Sequence, residues 1–245
     1  MEVSVVPDLL EDVAFVREAV ETAGIVPTVV EDIEDVGRED LVPVWGDTGV
    51  RTASNRGIEA PLVPIETAVG LEPVDRTELS AAFRSIRHGE YRSIDRRTLT
   101  VTPPAAEPQT AIFDAYLVTD QPATISEFAI GVQDRTVAEY RADGTVVATP
   151  AGSSGYARAA GGPILGPACA GLVVITIAPY RTDPDHWVFG ETPVTVTVTR
   201  DESDVVAVVD GVTVGPVEVD AGISVEWDRW YRTLRVPQSR PASQP

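Results

Sequence analysis

Lysine is absent from this chain, and all 19 basic residues are arginine. That absence excludes a P-loop lysine, Schiff-base chemistry and a lysine general base. Cys169 is the only cysteine, so neither an intramolecular disulfide nor a cysteine cluster for zinc can form. The only histidines, His88 and His186, are far apart in sequence. They argue against a Cys/His catalytic pair or a His-rich centre, and no metal ligand is assigned. No stretch is apolar enough to cross a bilayer, and the N-terminus lacks a basic region followed by an apolar core, so a cytoplasmic protein without a membrane partner is expected. Basic charge is scarce altogether: the formal net charge is -19. Such a surface repels polyanions, which argues against a nucleic-acid partner. An acidic, lysine-free surface suits a cytoplasm rich in salt, where screening relieves self-repulsion, and a halophilic source is expected.

What the chain does have is an apolar fraction of 43% over 245 residues, ample for a buried core. The first ninety residues alternate strand and helix signals. Val3 to Val6, Ile25 to Val30, Leu41 to Val44 and Leu62 to Ile65 read as strands. Asp8 and Glu11 form a D-x-x-E capping pattern before Leu9, Val13, Val16 and Val20 at helical spacing, with Gly24 as the stop. Thr77 to Ile86 reads as a second helix, with Leu79, Ala82, Phe83 and Ile86 on one face. This alternation predicts an α/β domain over residues 1–90, built on a mostly parallel sheet.

From residue 91 the pattern becomes a series of short strands: 98–101, 111–118, 124–132, 137–140, 146–149, 172–177, 194–199 and 205–209. Asp210-Gly211 marks a hairpin turn to Val212 to Val214. An all-β domain of two packed sheets is expected over 91–236, its last strand returning to the first domain. A disordered Pro/Ser-rich tail is expected over 237–245.

The most informative segment is Asp143 to Ile164, D-G-T-V-V-A-T-P-A-G-S-S-G-Y-A-R-A-A-G-G-P-I, where a β-branched strand runs into a loop of small residues. Glycines in such number imply backbone pressed closely against something. Neither Rossmann nor P-loop spacing is present. The order of residues resembles the signature of the NAD kinase family, approximately D-G-x-x-x-A-T-P-T-G-S-T-A-Y-S-x-S-A-G-G-P-I. Asp143, Gly144, Ala148, Thr149, Pro150, Gly152, Ser153, Tyr156, Ala160, Gly161, Gly162, Pro163 and Ile164 match it, whereas 151, 154, 155 and 157–159 depart.

The resemblance implies the family's two-domain fold and phosphorylation of the 2′-hydroxyl of the adenosine ribose of NAD, giving NADP. It also implies ATP or polyphosphate as donor, Mg2+ or another divalent cation, and homodimers or homotetramers formed through the β domain. The family's G-G-D-G-T turn corresponds to Trp45-Gly46-Asp47-Thr48-Gly49. Asp47 is then the expected base and Gly46, Thr48 and Gly49 the phosphate cradle; a plain Asx-turn is the other reading of Asp47. The N-E pair that holds the ribose on the nicotinamide side aligns with Thr119-Asp120, and the asparagine after the fourth strand with Glu66, which could equally be a surface carboxylate. NAD contacts are expected from Glu66, Asp120, Asp143, Thr149, Gly152, Ser153 and Tyr156, with Tyr156 alternatively a core aromatic. Arg158, outside the family pattern, could pair with a phosphate. The departures at Trp45, Thr48, Gly49 and Thr119 keep a second class open, a non-catalytic NAD(P)-binding relative acting as sensor or partner subunit. A lipid or sphingoid-base kinase of related fold fits less well.

Overall fold

The computed structural model describes residues 2–38, 40–121, 124–180 and 185–242. The chain folds into two compact units, residues 1–96 with 230–245, and residues 97–229. The divisions therefore fall a few residues past the compositional change at 90/91, and the return begins at Trp230.

In the first unit, β1 (Val3–Val5) leads to α1 (Val13–Thr22), and β2 (Pro27–Val29) lies parallel to β1. The helix starts later than the D-x-x-E pattern suggests. Pro7–Leu9 forms a 3-10 turn, and Asp12 is the N-cap, its carboxylate accepting from Phe15 N at 3.0 Å. Next comes β3 (Val42–Trp45), which runs directly into α2 (Gly46–Asn55), and then β4 (Leu62–Ile65), parallel to β3. α3 (Leu79–Arg87) buries Leu79, Ala82, Phe83 and Ile86, the face expected from their spacing. These side chains pack with Val16 and Val20 of α1 and with the strand residues Val3, Val5, Val63 and Ile65.

The second unit begins within β5 (Arg92–Thr102) and continues through β6 (Gln109–Ala111), β7 (Asp114–Thr119), β8 (Ser126–Val132), β9 (Arg135–Ala142) and β10 (Gly144–Ala148). A 3-10 turn at Gly152–Ser154 and one turn of helix, α4 (Tyr156–Ala159), precede β11 (Leu172–Ile177). The remaining strands are β12 (His186–Phe189), β13 (Val194–Arg200), β14 (Val205–Val209), β15 (Val212–Val217) and β16 (Gly222–Arg235). One sheet has the order β12-β11-β10-β7-β14-β15. The facing layer pairs β9 with β8, β8 with β13 and β13 with the first half of β16. Alternate residues of both layers form one core, including Ala115, Leu117, Val147 and Val174 against Phe128, Ile130, Val196 and Ile223.

β16 carries the chain back to the first unit, where Thr233 pairs in parallel with Leu62. Residues beyond it differ from the disordered tail expected at 237. Ser239 Oγ accepts from Val236 N, Arg240 N donates to Pro73 O, and Arg240 pairs with Asp75 at 2.8 Å. These bonds hold the segment as far as Arg240; residues 243–245 lie outside those described. No helix among the described residues is long and apolar enough to cross a membrane.

Candidate functional site

The register of β3 and β4 sets Trp45 beside Ile65, so the residues that follow each strand emerge side by side at the carboxyl ends. Ligands bind at this edge in open α/β sheets. Asp47 and Glu66 are brought together here. Asp47 Oδ1 accepts from Ala68 N at 2.7 Å, bridging the β3 exit to the β4 exit instead of closing an Asx-turn within its own segment. Glu66 has left-handed backbone, φ 52°, held by Glu66 N donating to Val74 O and by its carboxylate accepting from Arg76 N at 2.5 Å.

The G-D-T-G segment forms the first turn of α2, in place of the expected free turn. Gly46 has φ +61° and open space around its α-carbon, and exposed Thr48 follows. Gly49 is different: it is buried, and a Cβ there would lie 2.7 Å from Leu9 O, so this glycine permits close packing of α2 on the chain's own backbone.

In the second unit the loop after β10 folds back on the residues that enter β7. Thr149 Oγ1 donates to Ile112 O at 2.7 Å and accepts from Gly152 N at 3.1 Å, while Thr149 N donates to Phe113 O. Ser153 Oγ donates to Pro150 O and accepts from Leu165 N at 2.9 Å. Both hydroxyls are buried and spent on backbone, which corrects the expectation that they face a dinucleotide. Gly152 belongs to the same packing, since a Cβ there would sit 2.1 Å from Phe113 O. The closeness implied by the small residues is closeness to the chain's own backbone.

What the loop clasps is Asp114, a residue that sequence reasoning passed over as part of a strand. Asp114 is 7% exposed, and burial, with a smaller contribution from the charge of Asp210, raises its carboxyl to about 7. Asp210, in the Asp-Gly hairpin turn, accepts from Ile112 N, Phe113 N and Asp114 N at 2.9, 2.8 and 3.1 Å. Tyr116, two residues along the same face of β7, meets Tyr156 of α4 with ring centroids 5.0 Å apart. Tyr156 is 38% exposed, so it is not a core aromatic. Burial, and then the charge of Asp114, raises both phenols above their usual range.

Asp120 lies elsewhere. The β10–β7 register pairs Ala148 with Asp114 and Gly144 with Val118, so Asp120 sits past the opposite end of β7, roughly 20 Å along the strand from Asp114. There Asp120 N donates to Asp204 O, and Asp143 O accepts from Thr119 N. The carboxylate gathered with the loop is Asp114, and the proposed pairing of the family's N-E with Thr119-Asp120 is corrected accordingly. Asp143 keeps a link to the loop side through its charge on Tyr156. Arg158 is exposed on α4. A buried aspartate within the apolar run A-I-F-D-A was the available signal, because unpaired buried carboxylates are costly and mark sites.

The resemblance implies a divalent cation, which calls for clustered oxygen or nitrogen ligands. Among the described residues no group of three or more His, Cys, Asp or Glu is arranged to hold a metal ion. The described residues do not build a resident metal cage.

Residues 114–227 match the family model of the ATP-NAD kinase C-terminal domain. The NAD kinase of Methanosarcina mazei is 32% identical over 198 residues, covering 78% of this chain and 67% of that protein. The NAD kinase of Methanothermobacter thermautotrophicus is 32% identical over 186 residues, covering 74% of this chain and 65% of that protein. The present chain thus spans about two thirds of the length of these relatives. Among solved structures, an NAD kinase from Archaeoglobus fulgidus in complex with ATP superposes with a TM-score of 0.67 at 20% identity, covering 97% of this chain and 94% of that one. Yeast NADH kinase complexed with NADH gives 0.73 at 14% identity, covering 97% and 84%. These two show the fold, and the sequence relatives carry the assignment: the chain belongs to the NAD kinase family.

Proposed function

We propose that the protein transfers a phosphoryl group from ATP to the 2′-hydroxyl of the adenosine ribose of NAD, giving NADP and ADP. The observation that carries this reading is the carboxylate of Asp47, fixed by Ala68 N at the carboxyl end of β3. A hydroxyl becomes a nucleophile when a positioned carboxylate takes its proton. Asp47 accepts the 2′-hydroxyl proton, the ribose oxygen bonds to the γ-phosphorus, and the bond from that phosphorus to the β,γ-bridging oxygen breaks. ADP leaves with the bridging electron pair. Polyphosphate serves the same chemistry with a shorter chain as leaving group.

Asp114 and Tyr156 supply the dinucleotide contacts in this reading: an acceptor for ribose hydroxyls and a partly exposed ring beside it. Thr149, Gly152 and Ser153 act behind them by holding the entrance to β7. A divalent cation, when present, neutralises charge on the donor phosphates, and Mg2+ commonly sits on one or two carboxylates plus substrate phosphates. Self-association through the β-rich unit and a salty cytoplasmic setting belong to the same reading, the latter supported by the net charge of -19.

Trp45 favours a second reading. It stands where the family has glycine, and its ring meets Phe15 edge-on at 6.3 Å. A side chain filling the donor's place would leave a non-catalytic NAD(P) sensor. NADP formation by purified protein with ATP, Mg2+ and high salt separates the two. Turnover that disappears in Asp47→Asn supports the kinase, and dinucleotide binding without turnover supports the sensor.

A further inference from the structure

Trp45 and Phe15 are joined by a third group. The guanidinium of Arg76 lies 4.2 Å from the Phe15 ring centroid and 5.5 Å from that of Trp45. Its Nη2 donates to Asp12 Oδ2 at 2.9 Å, and its backbone N donates to Glu66 Oε1. One arginine therefore ties together the segments that follow β1, β3 and β4. Its side chain is nonetheless 49% exposed. The Asp12 bond uses one of its five in-plane N–H groups, and contact with the rings uses none by conventional hydrogen bonding, so donors remain for a ligand arriving from solvent.

Charge gives the arrangement a purpose. Asp12, Asp47 and Glu66 all lie at this edge, and a triphosphate brought to it carries several negative charges of its own. Carboxylates alone would repel it. In a chain without lysine only arginine can supply a permanent cation, and a planar guanidinium held by two rings is already oriented for phosphate oxygens. The geometry points to Arg76 as a donor-phosphate binding residue, with Trp45 and Phe15 as the rings that orient it. Trp45 then takes the place of the family's bare glycine by presenting an arginine. This inference rests on the reading that the edge around Asp47 receives the phosphoryl donor.

Calorimetric titration with tripolyphosphate, which shares the donor's polyanion but has no base or sugar, tests it without requiring turnover. Arg76→Gln is expected to weaken tripolyphosphate binding by at least about tenfold, the loss typical of a charge-assisted hydrogen bond. Arg76→Lys should recover part of it, and NAD affinity should stay at the wild-type value while the thermal midpoint falls by only a few degrees, the loss expected from one exposed ion pair and two ring contacts. Phe15→Leu, which keeps the charge and removes one ring, should lose an intermediate amount. Unchanged tripolyphosphate affinity in Arg76→Gln overturns the inference. So does a parallel loss of NAD affinity and thermal stability, which would mark Arg76 as structural. The outcomes remain separable from those of the kinase reading: a wild-type protein that binds tripolyphosphate through Arg76 yet forms no NADP contradicts only the latter.

Discussion

Replacing Asp114 by asparagine should stabilise the protein while weakening its hold on the dinucleotide. In the folded chain burial and Asp210 raise the Asp114 carboxyl from 3.8 to about 7, so ionising it there costs ~4 kcal/mol more than in the unfolded chain. The raised value means that the folded state keeps a proton the unfolded state has already lost. Its contribution to stability is therefore fully present below 3.8 and is lost as pH rises through about 7. Asparagine has no charge to bury. Urea denaturation of both proteins from about pH 5 to about pH 9 reads the difference: the variant's advantage should widen by ~1.4 kcal/mol per pH unit up to about pH 7 and then level off. NAD affinity should move the other way, rising with pH in the wild type through the same window and falling in the variant at every pH. Parallel stability curves for the two proteins would refute the reasoning, because they would mean that Asp114 titrates alike in both states.

Gly152→Ala should destabilise by ~1–3 kcal/mol or more, because its Cβ would meet Phe113 O at 2.1 Å on a rigid backbone; the thermal midpoint checks this, and NAD affinity should fall with it as the entrance to β7 shifts. Glu72→Gln should cost ~3–5 kcal/mol in urea unfolding, since Glu72 is 3% exposed and lies 3.8 Å from buried Arg96 and 3.4 Å from Arg235, and its loss leaves a buried guanidinium uncompensated.

Much of the fold could be read from periodicity. The apolar faces of α1 and α3 and the strands β3, β4, β11, β13 and β14 follow from spacing alone, because their buried sides are continuous. α2 did not, since G-D-T-G-V-R-T-A-S-N is poor in helix formers and is helical because Val50 and Ala53 are buried in place. Likewise β12 alternates only partly buried residues and carries little pattern. At the candidate site, the hydroxyls of the Gly-rich loop turn to backbone and not to the dinucleotide expected for them. A run of Gly, Ser and Thr signals close approach without saying what is approached, and Thr149 and Ser153 approach the backbone at 112–113 and 150–165. Asp114 stands out locally as an aspartate in the apolar run A-I-F-D-A, but its place beside the loop comes from the register of β7 on β10, which no local pattern encodes.

In the proposed reaction Asp47 takes the proton from the 2′-hydroxyl of NAD. Single-turnover NADP formation, with NAD and ATP both saturating, tests it without interference from binding. Asp47→Asn should slow the step by ~10²–10⁴-fold with NAD affinity unchanged, the range for losing a general base. A rate within a few-fold of wild type would contradict the account, since the carboxylate held by Ala68 N would then have no part in moving the proton.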